Sequence, residues 1–405
     1  MIFVFYFFAA ILIYLSYRSL RGGVEYLHFF RGELSKPTSS FTPFVSVIAP
    51  CRGVDNGMHE NLQALFEQDY PEYEIVFVVD DASDEAYSVI ERLISQHETE
   101  TIRPVTAKLI VAPKASVSGQ KVENLREAVL HTADRSNAFA FVDSDAQPSK
   151  NWLRDLVAPL GGDNIGAATG YRWFVPDAST LASELNSAWN ASIASALGPN
   201  TVSNFCWGGS MAIRRDVFER LHIRQKLLGT LSDDFAVTRI MTEAGLPVVF
   251  VPQAMCASSE QCTFAQMLEF TTRQMKITRV YAPKLWILSL IGSSLFIFVM
   301  VAALLILIFS GQNSWGEAAA LFTLVSVLAL SVGKSYLRLK AIRLVLPNLD
   351  DKLRRQTLYQ TTLFVLAQPL FFYNCVIAAF SRRLTWRGTT YELKSPNETV
   401  ILSGR

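Results

Sequence analysis

The chain has 405 residues and a net charge of +1, with 50% of its residues hydrophobic and 18% charged. That apolar excess excludes a wholly soluble protein of this size, and the near-zero charge gives no footing for a nucleic-acid partner. Cys51, Cys206, Cys256, Cys262 and Cys375 show no CxxC or zinc-like spacing, so they read as buried thiols in a reducing compartment.

Residues 2–17 are uncharged and aromatic-rich, and Arg18, Arg21 and Arg31 follow them. A signal peptide places its positive charges before the apolar stretch, so residues 1–20 are expected to be an uncleaved anchor whose C-terminal side is cytoplasmic. Residues 37–43 read as a linker. Beyond it, strand-like runs at 45–49, 75–79, 108–111 and 139–142 alternate with helix-like runs at 59–67, 85–97 and 121–131. This order predicts an α/β domain over 42–262 with a mostly parallel, Rossmann-like sheet and helices on both faces.

Asp80-Asp81 follow the second strand and Asp143-Ser144-Asp145 the fourth, where an open α/β sheet presents groups to a ligand. Neighbouring carboxylates repel, so the Asp-x-Asp is costly unless a cation or hydrogen-bond donors compensate. A hard divalent ion shared with a diphosphate suits it; a cap or turn uses the same residues. Asp233-Asp234 precede a helical run at 235–243. Alone they suit a helix N-terminus; beside two other Asp clusters they suit a general base. Between the clusters, Cys206-Trp207-Gly208-Gly209-Ser210 offers two glycines for close backbone approach or a tight turn.

Residues 263–284 alternate Phe264, Met267, Leu268 and Met275 with Arg273, Lys276 and Arg279. They read either as an interfacial amphipathic helix or as a helix packed under the domain, and their cations suit a departing diphosphate as well as a headgroup face. Residues 337–355 show a similar pattern. A C-terminal membrane region over 285–380 contains apolar runs at 285–310 and 318–332, joined by a segment (311–317) without Lys or Arg, and the second run is short for a span of about 20 residues. Lys334, Arg338, Lys340 and Arg343 mark a return to the cytoplasm. If the last run, 358–380, crossed fully, Arg382, Arg383 and Arg387 would lie outside. Pro369, beside Gln368 and ahead of Asn374, instead suits a re-entrant hairpin, leaving 381–405 as a cytoplasmic tail.

In this order, VSVIAPCRGVDNGMHENL, DYPEYEIVFVVDDASDEA, KVENL, FVDSD and SDDF resemble the motifs of family 2-type glycosyltransferases with the GT-A fold. The likeness is nearest to ceramide glucosyltransferases and bacterial lipid-glucosylating relatives. The resemblance implies that Asp80 and Asp81 contact the uridine of a UDP-sugar and that Lys121 and Asn124 line the donor pocket. It implies that Asp143 sits on the donor, that Asp145 holds Mn or Mg, and that Asp234 is the base with Asp233 in support. The family's last motif, Gln or Arg, two spacers and Arg-Trp, is represented here only by Lys276-Ile-Thr-Arg279-Val280, with Arg273 nearby. The histidine that animal ceramide glucosyltransferases carry before the third motif is absent between Trp173 and Cys206.

The expected activity is inverting transfer of a hexose, glucose first, from a UDP-sugar to a lipid hydroxyl. Ceramide and diacylglycerol lead, with hopanoid or polyprenyl-type lipids behind them. A processive polysaccharide synthase is the alternative, and a non-catalytic nucleotide-sugar-binding scaffold the second. Short loops and the lack of a targeting motif point to a bacterial inner membrane.

Overall fold

The computed structural model describes residues 2–100, 105–309 and 314–403. Helix α1 (Ile2–Leu34) precedes β1 (Val45–Pro50), α2 (Met58–Phe66), β2 (Tyr73–Val79), α3 (Glu85–Glu100), β3 (Thr106–Val111), α4 (Gln120–Ala128), β4 (Ala138–Val142) and α5 (Trp152–Val157). Shorter elements follow: β5 (Ala167–Thr169), β6 (Arg172–Phe174), α6 (Leu181–Ala194), β7 (Ser210–Arg214), α7 (Arg215–Arg220), α8 (Ile223–Lys226), α9 (Asp233–Glu243), β8 (Val248–Phe250) and β9 (Cys256–Ser258). The chain ends with α10 (Phe264–Tyr281), α11 (Pro283–Phe309), α12 (Ser314–Val345), α13 (Asp350–Thr362), α14 (Phe364–Phe380), β10 (Arg383–Trp386), β11 (Thr389–Ser395) and β12 (Glu398–Ser403).

These elements form two compact units. The first, built from Glu33–Asp177, Ala196–Glu260 and Arg382–Arg405, holds a seven-stranded sheet in the order β3-β2-β1-β4-β7-β5-β8. Strands β1 to β4 run parallel to one another, and β7 runs antiparallel to both β4 and β5. Every residue of β1, β2 and β4 is buried, which is why they read as unbroken apolar runs rather than alternating ones. One face packs Val76, Val78, Phe139 and Phe141 against Val122 and Leu125 of α4 and Val237 and Ile240 of α9. The expected α/β arrangement with a mostly parallel sheet is the one present.

The second unit comprises Met1–Gly32, Ala178–Ser195 and Gln261–Ser381. Its helices α1, α11 and α12 are each long and apolar enough to cross a membrane. Phe5, Ala9 and Leu12 of α1 pack with Phe296, Val299 and Ala303 of α11 and Ala320, Leu324 and Val327 of α12. The expected anchor at 1–20 is the start of a 33-residue helix. Gly22 and Gly23 do not break it, and a Cβ on Gly23 would touch the Lys334 backbone at 3.5 Å, a small-residue contact typical of close helix pairs in membranes. Likewise the short run at 318–332 lies within the 32-residue α12, because Lys, Arg and Leu beyond it are good helix formers. Residues 310–313, shared between the expected span at 285–310 and the outer segment at 311–317, lie outside the described residues.

Four boundaries differ from expectation. Residues 178–195 leave the expected 42–262 domain, because α6 is buried on nearly every side: Leu185, Ala188 and Trp189 pack with Met267, Met275 and Leu370. Its polar side is also taken, with Gln356 donating to Glu184 at 3.2 Å and Gln360 to Ser187 at 2.9 Å. The 337–355 stretch is divided, since α12 ends ahead of Pro347, as the residue before a proline disfavours helix. The run at 358–380 is bent by 66° at Leu363, and Pro369 lies inside α14 rather than at the break. Finally, 381–405 is no loose tail. Its Tyr391 and Leu393 are buried, and β10-β11-β12 form an antiparallel sheet within the first unit.

The expected helix at 263–284 is α10, started by a reciprocal Thr263–Gln266 capping box. Its Met267 and Met275 are core residues of their own unit.

The β10–β11 turn has Trp386 opposite Thr389, with Arg387 at φ 49° and Gly388 at φ 78°. Two central residues of positive φ match the right-handed strand twist, and Asn-Gly or Gly-Gly normally fills them. A side chain held in this region costs about 1–3 kcal/mol. An exposed ion pair returns only about 0–1 kcal/mol.

Candidate active site

Strand register brings the acidic clusters to one edge of the sheet. Pro50 lies opposite Val78, and Ile48 opposite Phe141, so the loop after β1, Asp80-Asp81 after β2 and Asp143–Asp145 after β4 emerge side by side. Val142 pairs with Ser210, which sets Gly208-Gly209 against the same edge. This carboxyl end is where open α/β sheets bind ligands.

The first cluster is balanced by cations from other elements. Lys114 Nζ lies 3.1 Å from Asp80 and 3.0 Å from Asp81, and Arg52 is 3.9 Å from Asp80. Asp80 is buried. Asp81 accepts the Ser83 amide at 3.0 Å and its hydroxyl at 2.8 Å. Those bonds, followed by Lys114, hold the Asp81 carboxyl well below the usual carboxylate range.

The centre of the edge is a triad of buried Asp233 with half-buried Lys121 and Asp143. Lys121 Nζ lies 2.7 Å from Asp143 and 3.3 Å from Asp233. Burial alone would lower the lysine, but Asp143 and Asp233 outweigh it and raise its pKa. Burial pushes the Asp233 carboxyl up to about 6, with Lys121 pulling the other way. The glycines are required sterically: a Cβ on Gly208 would sit 2.0 Å from Asp233 Oδ2, and one on Gly209 would sit 2.8 Å from Asp143 Oδ2. Of the two meanings open for this pair, the tight turn is present, with the Ser210 amide donating to the Trp207 carbonyl at 3.0 Å around Gly208-Gly209. Ser210 instead serves the scaffold, accepting from Trp152 Nε1 at 2.8 Å and donating to the Ala254 carbonyl at 2.9 Å.

Asp145 sits partly buried beside Arg172, whose Nη1 lies 3.3 Å from Oδ2. Burial raises its pKa, and Arg172 opposes this. Its Oδ1 is buried with no hydrogen-bond partner among the described residues, as is Oδ2 of Asp233. A buried unsatisfied carboxylate oxygen is costly, and a hard cation removes that cost. Among the described residues no group of three or more His, Cys, Asp or Glu is arranged to hold a metal alone. The residues therefore fit the mode in which one or two carboxylates share a divalent ion with substrate phosphates.

At the third cluster both acids open α9, and Ser232 makes no side-chain cap. Asp234 is less buried than Asp233; its Oδ1 accepts the Phe235 amide at 2.7 Å and the Ser232 hydroxyl. The helix N-terminus read for this pair is present, which favours negative charge, and Asp233 also joins the triad.

Asp80, Asp81, Lys121, Asp143, Asp145, Asp233 and Asp234 thus belong to one unit and one edge, with Asn124 buried behind them accepting from Gln120 at 2.8 Å. Arg273 and Arg279 belong to the other unit. There Arg279 donates to the Ala378 carbonyl at 2.5 Å and lies over Trp286, while Arg273 lies over Phe270. The residues that sequence reasoning missed are the basic partners Arg52, Lys114 and Arg172; Lys114 lies 34 positions from Asp80 and Arg172 lies 27 from Asp145. The unpaired acidity of the clusters was the only signal for them.

A family model described as Glycosyl transferase family 21 matches residues 5–399. The chain is 27% identical over 126 residues to a ceramide glucosyltransferase of Candida albicans, covering 29% of this chain and 23% of the relative. It is 32% identical over 127 residues to ceramide glucosyltransferase 3 of Caenorhabditis elegans, covering 31% and 24%. The matched segment thus spans about a quarter of those relatives' length. A mannosyltransferase of Pyrobaculum calidifontis, solved with GDP-Man and Mn2+, superposes with a TM-score of 0.44 at 19% identity over 90% of this chain and 99% of that one. The chain belongs to glycosyl transferase family 21.

Proposed function

We propose that this family member transfers a hexose, glucose foremost, from a UDP-sugar to the hydroxyl of a membrane lipid, with inversion at the sugar carbon. The observation that carries this is the half-buried Lys121–Asp143–Asp233 triad beside an Asp145 oxygen without a hydrogen-bond partner among the described residues, set in a chain with three helices fit to cross a membrane. Asp80 and Asp81 bind the nucleoside. Lys121 and Asn124 shape the donor pocket, and Asp143 positions the sugar. Asp145 is the residue that would hold Mn or Mg, which supplies charge neutralisation at the donor diphosphate.

Asp233, fixed by Lys121 and packed on Gly208, holds the neighbouring carboxylate in place. Asp234, the more exposed of the two, takes the proton from the acceptor hydroxyl. The acceptor oxygen bonds to the anomeric carbon as the bond from that carbon to the phosphate oxygen breaks, and UDP leaves with the electron pair. Direct displacement gives a β-linked product from an α-linked donor. Water at the same position would hydrolyse the donor, so a dry, lipid-fed acceptor path suits the chemistry.

We further propose that the catalytic unit faces the cytoplasm of a bacterial inner membrane. Glu33–Asp177 and Arg382–Arg405 fold into one unit, and one folded body occupies one side of a bilayer. The chain between them therefore crosses an even number of times, through α11 and α12, and the bent pair α13–α14 enters and returns.

The test is transfer by purified protein in lipid nanodiscs, with UDP-glucose, UDP-galactose and UDP-N-acetylglucosamine offered against ceramide and diacylglycerol, with Mn2+ or EDTA. A metal-dependent β-linked glycolipid is expected. An α-linked product, a sugar polymer, or undiminished transfer in EDTA would contradict the proposal.

A further inference from the structure

The C-terminal sheet brings a cation to the acidic edge that no sequence motif marks. Arg387, at the tip of the β10–β11 turn, forms a two-pronged pair with Asp55 in the loop after β1, with Nη1 to Oδ1 at 2.8 Å. The same tip touches the same loop again, where Arg52 reaches Thr389 Oγ1 at 3.5 Å while lying 3.9 Å from Asp80. Asp55, and after it Asp145 and Glu260, hold the Arg387 guanidinium in its charged form. The tip of the turn therefore sits against the loop after β1, whose Arg52 reaches on to Asp80 of the proposed donor site.

The pair with Asp55 does not account for placing an arginine there. The sheet is already anchored by buried Leu384, Tyr391 and Leu393, by the Gln120 amide donating to the Tyr391 hydroxyl at 3.3 Å, and by the Asn397 carbonyl, which a Cβ on Gly229 would meet at 2.2 Å. Asparagine would fit the positive-φ position with less strain. A long, permanently charged, forked side chain in a strained backbone conformation at a charged edge marks a functional demand, and the fork matches phosphate oxygens.

We propose that Arg387 is a ligand of the donor's diphosphate, held by Asp55 until the nucleotide sugar arrives and then exchanged onto the phosphate oxygens, where it also steadies the departing UDP. This rests on the nucleotide-sugar site proposed above. It gives that site a leaving-group cation from the first unit, while Arg273 and Arg279 are engaged within the second.

The test uses the full chain in nanodiscs with Mn2+ and compares binding of UDP and of uridine. Arg387→Asn creates the favoured Asn-Gly turn, so folding is kept while the cation is lost; thermal midpoints verify this. UDP affinity is expected to fall about tenfold or more, the usual scale for a lost charge-assisted hydrogen bond, with uridine affinity unchanged and Arg387→Lys intermediate. Equal UDP affinity in Arg387→Asn and the wild type would overturn the assignment alone. A parallel loss for uridine would do the same, by showing a purely structural role. If the wild type binds neither UDP nor GDP, the donor-site reading falls, and this assignment with it.

Discussion

Asp233 shows how burial sets the behaviour of a single carboxyl. Its pKa rises from 3.8 to about 6, chiefly through burial, so the folded protein binds this proton more tightly than the unfolded chain. The associated stability is present below about pH 4, is lost as pH climbs to about 6, and is level above that. Asp233→Asn carries no such proton. Its thermal midpoint relative to wild type should therefore improve between about pH 4 and pH 6, and a difference that stays flat across that window would rule out the raised pKa. The acids of this site were readable in the sequence because strand-end Asp pairs are conspicuous. Their partners were not, because Lys114, Arg172 and Arg387 are placed by tertiary register and not by local spacing.

At the level of elements, strands β1, β2 and β4 were readable from apolar runs bounded by polar turns, since both of their faces are buried. Helix α6 was not separable from the α/β domain by pattern, because its membership of the apolar unit depends on Met267, Met275 and Leu370, which come much later in the chain. The C-terminal sheet was missed for a different reason. Its buried positions, Leu384, Tyr391 and Leu393, are few and lie among charged residues, a weak strand signal. The β4–β7 edge yields a prediction at this scale. Gly208→Ala would drive a methyl to 2.0 Å from Asp233 Oδ2, so it should destabilise by about 1–3 kcal/mol, as overpacking does. Transfer should fall more steeply than stability, because Asp233 would shift off Lys121. Chemical denaturation alongside a transfer assay checks both, and a variant of unchanged activity would dissociate the glycine from the site.

For the whole molecule, the membership of Arg382–Arg405 in the first unit makes the proposed topology testable. The native cysteines are free, and all but Cys262 are buried, so single reporters are practicable. Cysteines placed at Glu91 and Lys394 should react with an impermeant maleimide from the same side of sealed vesicles, and one at Trp315 from the opposite side. Labelling of Lys394→Cys with Trp315→Cys would mean that α13–α14 crosses fully.

The central claim, that the acidic edge both holds a nucleotide sugar and activates a lipid hydroxyl, is met most directly by one variant measured in two ways. Asp234→Asn in nanodiscs should bind UDP-sugar as the wild type does while transfer to lipid falls by about 10²–10⁴, the contribution of a positioned general base. Transfer at the wild-type rate in that variant would contradict the account.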